Sequence, residues 1–186
     1  MKQMGALIGL FGTLVAAAPD SEGRAVFAGG CFWGVEWVFE HVSGVRSVTA
    51  GYSPGGVESV DIRYDPKTVS YRNLLEVFFL VAHDPTSRDR QGPDAGPEYR
   101  AIVFTTDSSQ QRAAGAYLAE LTAQHHFATP IVTELQPFRE FRIAEDFHQD
   151  FAEKHPSDPY IVTNDLPKLA KLKRLFPQLY RSGRGS

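Results

Sequence analysis

Residues 24–44, RAVFAGGCFWGVEWVFEHVSG, decide the fold. Arg24 to Ala28 is a short apolar run closed by Gly29-Gly30, the pattern of a buried strand feeding a turn. From Cys31 the period changes. Phe32, Val35, Phe39 and Val42 follow at spacings of 3, 4 and 3, which line one face of a helix, and Gly44 stands where that helix should stop. The two glycines let the chain turn sharply from strand to helix, so Cys31 is expected in the first helical turn.

Working outward, Val45 to Tyr52 is a second strand candidate, followed by the turn Ser53-Pro54-Gly55-Gly56. Val57 to Tyr64 alternates, with Val60, Ile62 and Tyr64 on one face. Ser70 is placed to cap a helix carrying Leu74, Leu75, Phe78, Phe79 and Ala82. Residues 84–98 are rich in Asp, Pro, Gly and Arg and read as a long, functional loop. Ala101–Thr105 reads as a strand, Ser108–His126 as a helix, Ile131–Leu135 as a strand and Glu145–His155 as a short helical stretch. Pro167 sits in the first turn of a last helix. Interleaved strands and helices make the class α/β or α+β.

Composition narrows the function. The 186 residues suit one domain with a real core, and a formal charge of −3 offers no bulk attraction to nucleic acid or to an acidic membrane. Residues 1–20 stand apart: Lys2, then an apolar run from Met4 to Ala18 closed by small residues, as in a secretory signal cleaved near Ala17. The alternative is a disordered start. Residues 21–186 form the expected domain, exported to the periplasm or beyond if the signal is real and cytoplasmic otherwise. A single cysteine excludes an internal disulfide and a Cys-rich zinc site.

Cys31 is either an inert core thiol or a reactive one. Its expected place at a helix start favours the second, because unpaired N–H groups and the helix dipole there lower a thiol pKa. Trp33 cannot share the face of Phe32 and Val35, so it should border the thiol. Glu58 has the parity of Val60, Ile62 and Tyr64. It is either a desolvated carboxyl with a raised pKa, fit to donate a proton, or a strand-end glutamate that escapes to water. In the 84–98 loop, Asp94 and nearby Tyr99 either reach the pocket or merely make a turn and pack. The six histidines show no recognised ligand spacing, so no metal is expected. A Cys–His hydrolase built on Cys31 and His148 stays formally open.

These residues resemble a known family, the A-type peptide methionine sulfoxide reductases. The family signature Gly-Cys-Phe-Trp-Gly is present as Gly30 to Gly34, followed by Val35-Glu36. The resemblance runs from about Ala25 to Tyr180. It includes Gly51-Tyr52, Glu58-Ser59-Val60, Tyr64-Asp65-Pro66, His83-Asp84-Pro85-Thr86, Arg90-Gln91-Gly92-Pro93-Asp94, Tyr99-Arg100, Ala144 to Gln149 and Pro159-Tyr160-Ile161.

The resemblance implies a two-layer α/β sandwich, with a mixed sheet covered by helices around a ferredoxin-like core. It implies reduction of the S epimer of methionine sulfoxide, free or in proteins, by a thiolate at Cys31. Phe32 and Trp33 would hold the S-methyl group, Glu58 would protonate the oxygen, Tyr99 would bind it, and Asp94 would lie near the pocket. No cofactor is implied. Two departures stand out. The segment between Gly51-Tyr52 and Glu58 is short and lacks a second oxygen-binding tyrosine, a role open to Tyr52. There is also no resolving cysteine, so the Cys31 sulfenic acid would need an external thiol: a thioredoxin-like protein, a glutaredoxin or a small thiol. A monomer is expected. The rival from another class is a catalytically impaired relative that only binds methionine sulfoxide.

Overall fold

The computed structural model describes residues 22–183; the reading of residues 1–20 as a signal lies outside them. The chain runs β1 (Gly23–Gly29), α1 (Phe32–Glu40), β2 (Val45–Ser53), β3 (Val57–Tyr64) and α2 (Tyr71–Val77), which continues as a π-helical segment, Phe78–Ala82. A small hairpin of β4 (Arg90–Gln91) and β5 (Asp94–Ala95) leads through the 3₁₀ turn Pro97–Tyr99 to β6 (Ala101–Thr105) and α3 (Ser108–Ala123). Then come β7 (Glu134–Pro137), β8 (Arg142–Ile143), the 3₁₀ turn Asp146–His148, α4 (Phe151–Lys154), a π-helical segment Ile161–Asp165 and α5 (Leu166–Leu175).

Six strands form one sheet in the order β7-β6-β1-β3-β2-β8. Among the described residues only β6 and β7 pair in parallel, so the sheet is mixed. The succession β1-α1-β2-β3-α2-β6, with β6-β1-β3-β2 adjacent in that order, is the ferredoxin-like arrangement.

The apolar run of β1 is buried on both faces. Ala25 and Phe27 join the helix-side core with Phe39, Val60, Ile62, Phe78 and Val103. Val26 and Ala28 face the other way, with Ile102 and Phe104, under Phe138 and Phe141. Phe27 stacks on Phe78 at 4.7 Å and packs against Phe39 at 5.6 Å. Burying one such ring contributes about 1.5–3 kcal/mol. This aromatic stack ties β1, α1 and the π-helical segment together beneath the Cys31 turn.

Several elements depart from the sequence reading for local reasons. The strand expected at 131–135 begins only at Glu134, because Val132 N–H donates to the Pro85 carbonyl at 2.8 Å and Thr133 Oγ1 meets His83 Nε2 at 2.9 Å. The helix expected to reach His126 ends at Ala123, and His125 takes φ +48°. The helical stretch expected over 145–155 is broken at Asp150, where φ is +58°, and Gln149 turns its amide onto the backbone of Ala50 and Ala144. The 84–98 loop carries a hairpin, pinned by Gln91, whose side chain bonds both the N–H and the carbonyl of Asp84 at 2.8 and 2.9 Å.

Candidate active site

The strand-to-helix turn places the thiol. Gly30 takes φ +84°, and a Cβ there would lie 2.4 Å from Gln91 Cβ, so only glycine lets the hairpin close under the turn. Cys31 is the N-cap of α1, one position before the helical turn expected from sequence, and it is half-buried.

Glu58 comes from the neighbouring strand. It lies on the helix-side face of β3, and its Oε2 accepts the N–H of Phe32, the first residue of α1, at 2.9 Å. That bond answers the question left open by sequence: the carboxyl turns into the protein. Burial pushes its pKa up to about 7; Asp94 and Glu98 add to the rise, and the Phe32 N–H opposes it. Glu58 is therefore poised to gain or lose a proton near neutrality.

The thiol behaves differently from the sequence expectation of a lowered pKa. Burial first, and then the Glu58 charge, push the Cys31 thiol up to about 12. The Trp33 backbone N–H and the Tyr160 hydroxyl pull the other way, while Asp165 adds to the rise. Desolvation outweighs the helix start, and the resting group is a thiol.

The walls are aromatic. Phe32 is buried, edge-on to Tyr52 at 5.6 Å and tilted against His148 at 5.1 Å. Trp33 is half-buried, off the buried face of Phe32 and Val35; it stacks on Phe151 at 3.9 Å and meets Tyr160 edge-on at 5.9 Å. Trp33 Nε1–H donates to His148 Nδ1 at 3.2 Å. His148 is thus spent on orienting the indole, which leaves the hydrolase reading without its base.

Tyr52 sits directly across from Glu58 in the β2–β3 register. Its ring lies under the Arg142 guanidinium at 4.4 Å, and its hydroxyl pairs with Glu145. Tyr99, in the 3₁₀ turn beside β3, feels Glu58, Asp94 and Cys31; burial first, then those charges, push its pKa up to about 12. Asp94 does reach the site, where it accepts the Tyr160 hydroxyl. A phenol has one proton. Asp94 takes it here, and turned to the sulfur beside it the same proton steadies the Cys31 thiolate.

Tyr160 and Asp165 went unassigned in the sequence. Asp165 is 1 % exposed, its Oδ1 takes Lys168 Nζ at 3.0 Å, and its pKa is raised by burial. A Cβ at Gly34 would lie 1.9 Å from that oxygen, so the glycine of the signature makes room for this carboxylate under α1. Among the described residues, Glu36, Glu40 and Asp150 offer carboxylate oxygens within 4.8 Å of one another, but none of the three lines the hollow beside Cys31.

The family model for peptide methionine sulfoxide reductase matches residues 23–179. The chain belongs to that family. It is 46 % identical to Peptide methionine sulfoxide reductase MsrA 2 of Mesorhizobium japonicum, over 88 % of this chain and 92 % of the relative. It is 44 % identical to the protein of the same name from Synechocystis sp., over 82 % and 79 %. Among solved structures, the reduced form of Mxr1 from Saccharomyces cerevisiae superposes with a TM-score of 0.68 at 26 % identity, over 78 % of this chain and 92 % of that one. Methionine sulfoxide reductase A of Corynebacterium diphtheriae gives 0.64 at 28 %, over 75 % and 77 %. In this chain Cys31, Glu58, Asp94 and Tyr99 come from separate elements and meet closely enough for Tyr99 to feel the charges of the other three.

Proposed function

We propose that this chain reduces the S epimer of methionine sulfoxide, free or in proteins, to methionine, with Cys31 as nucleophile and Glu58 as proton carrier. One observation carries this reading above the rest. Glu58 is bonded to the first N–H of the helix that Cys31 caps, and it holds a carboxyl that titrates at about 7.

Glu58 takes the thiol proton and passes it to the sulfoxide oxygen. The Cys31 sulfur bonds to that oxygen as the S=O bond breaks. Methionine leaves, and Cys31 remains as sulfenic acid. Atoms balance, because the thiol proton ends on the transferred oxygen and Glu58 returns to its starting state. Phe32 and Trp33 form the apolar wall for the S-methyl group, and Tyr99 holds the oxygen. With one cysteine in the chain, the sulfenic acid is returned to thiol by an external thiol.

Trapping tests the assignment. Protein mixed with the S epimer and then dimedone should carry the adduct on Cys31 alone, and the R epimer should give none. Cys31→Ser should give no adduct with either. Binding without any adduct would favour the impaired, sulfoxide-binding relative.

A further inference from the structure

We infer that His148 is a positioning residue for substrate binding: as a neutral ring that accepts the Trp33 indole N–H, it sets the wall that receives the S-methyl group, and protonating it weakens the hold on methionine sulfoxide while leaving the chemistry at sulfur intact. This inference rests on the proposed role of Trp33 as that wall. One imidazole touches both wall residues. Its ring centre lies 5.1 Å from that of Phe32 and 5.8 Å from that of the Trp33 indole. Phe147, 67 % exposed, lies against the same ring at 4.1 Å.

The loop that carries the imidazole is tied down on two sides. Gln149 bonds the Ala50 N–H and carbonyl at 2.9 and 3.0 Å and the Ala144 carbonyl at 3.0 Å, which fastens the loop to the sheet. Asp150 N–H donates to Glu36 Oε2 at 2.9 Å, which fastens it to α1. Asp150 holds φ +58° there, a conformation that persists in a non-glycine residue only where its surroundings impose it. So held, the backbone delivers His148 to the Phe32–Trp33 wall. The indole itself is less firmly fixed by packing. It lies flat on Phe151 at 3.9 Å, a contact that permits sliding. Its directional contact is Nε1–H to His148 Nδ1 at 3.2 Å. An indole nitrogen only donates, so Nδ1 carries a lone pair and the ring proton sits on Nε2. A protonated imidazole has donors at both nitrogens. Nδ1–H would then oppose Nε1–H, the bond would be lost, and the wall would be free to turn.

Every element packed around the ring brings a titratable or charged group. On its own turn Asp146 is exposed, and Glu145 lies close enough for an imidazolium to lower its pKa. Glu145 also pairs with Tyr52 of β2 and faces Arg142 of β8 at 3.7 Å. Asp150, leading into α4, faces Lys154 at 3.4 Å, and His155 lies against Phe151 at 4.6 Å. Beyond the indole stand Cys31 at the head of α1 and Tyr160, edge-on at 5.9 Å. Glu58 reaches the same wall through the Phe32 N–H and titrates near neutrality, so the measurement has to keep Glu58 constant.

Reductant-free single turnovers over a range of S-sulfoxide concentrations give a limiting rate and a half-saturating concentration for wild type, His148→Phe and His148→Asn. Phenylalanine keeps the packing and removes the acceptor; asparagine keeps an acceptor oxygen at the position of Nδ1 and does not titrate. His148→Phe should raise the half-saturating concentration about threefold to tenfold, as befits one hydrogen bond, with the limiting rate within about twofold. His148→Asn should restore most of the affinity. On acidification from pH 8 to pH 5, the half-saturating concentration of wild type divided by that of His148→Asn should rise at least about threefold; Glu58 is common to both and cancels. The indole N–H resonance of Trp33 should move in His148→Phe, while that of Trp37, bonded to Glu153 Oε2 at 2.8 Å, stays in place. A limiting rate that falls as far as the affinity, equal losses in the two variants, or a ratio flat with pH would overturn the inference. Should His148→Phe unfold, wild type against His148→Asn across pH still decides it. Methionine release by wild type reads the proposed first step separately: if it occurs while the affinity pattern fails, only the role of His148 is refuted.

Discussion

Glu58→Gln separates stability from catalysis at one position. In the folded chain this carboxyl titrates at about 7 rather than at its ordinary 4.5, mainly through burial. Between those two values the folded state holds a proton that the unfolded state has lost. Stability therefore falls as pH rises through that window, and the full penalty is present above 7. A rise of about 2.5 in pKa corresponds to about 3 kcal/mol, and solvent on the half-open side of Glu58 reduces this to about 1–2 kcal/mol. Glutamine keeps an acceptor for the Phe32 N–H but never ionises. For a domain of this size the variant should melt about 2–8 °C above wild type at pH 8, with the gap closing by pH 4. Its reductant-free reaction should meanwhile slow by about 10²–10⁴-fold. Thermal melts across pH 4–8, run beside single-turnover rates, measure both. A melting gap independent of pH, or a less stable variant at pH 8, would refute the buried-acid account even if activity were lost.

Two further outcomes follow from the same geometry. Tyr160→Phe removes the hydroxyl that faces the thiol and leaves Asp94 without its donor; loss of a bond to a charged sulfur should slow attack about tenfold to a hundredfold, and iodoacetamide alkylation of Cys31 should need higher pH. The single-turnover rate of the wild type should rise with an apparent pKa near 7 and then level, because Glu58 must be ionised to take the thiol proton; Glu58→Gln should lack that limb.

Much of the fold was legible in the sequence, because it follows from periodicity. The 3-4-3 spacing after Cys31, the alternation around Val60 and the Ser70 cap are local signals, and Ser70 Oγ does accept Asn73 N–H at 3.1 Å. Elements held by distant partners were not legible. Nothing near Ile131 shows that residues 132 and 133 are claimed by Pro85 and His83, which pushes the strand on to Glu134. The site divides the same way. The parity of Glu58 and the place of Trp33 off the Phe32–Val35 face were legible, whereas the thiol's acidity was not, because a helix start is visible in sequence and burial beside Glu58 and Asp165 is not. Asp165 left one trace, the glycine at position 34, whose missing Cβ it occupies.

The central claim is that one sulfur takes one oxygen, and counting product tests it most directly. Pure protein given excess S-sulfoxide without any thiol should release about one methionine per chain and then stop, since the chain has a single cysteine to oxidise. No release, or continued turnover with no thiol present, would contradict it.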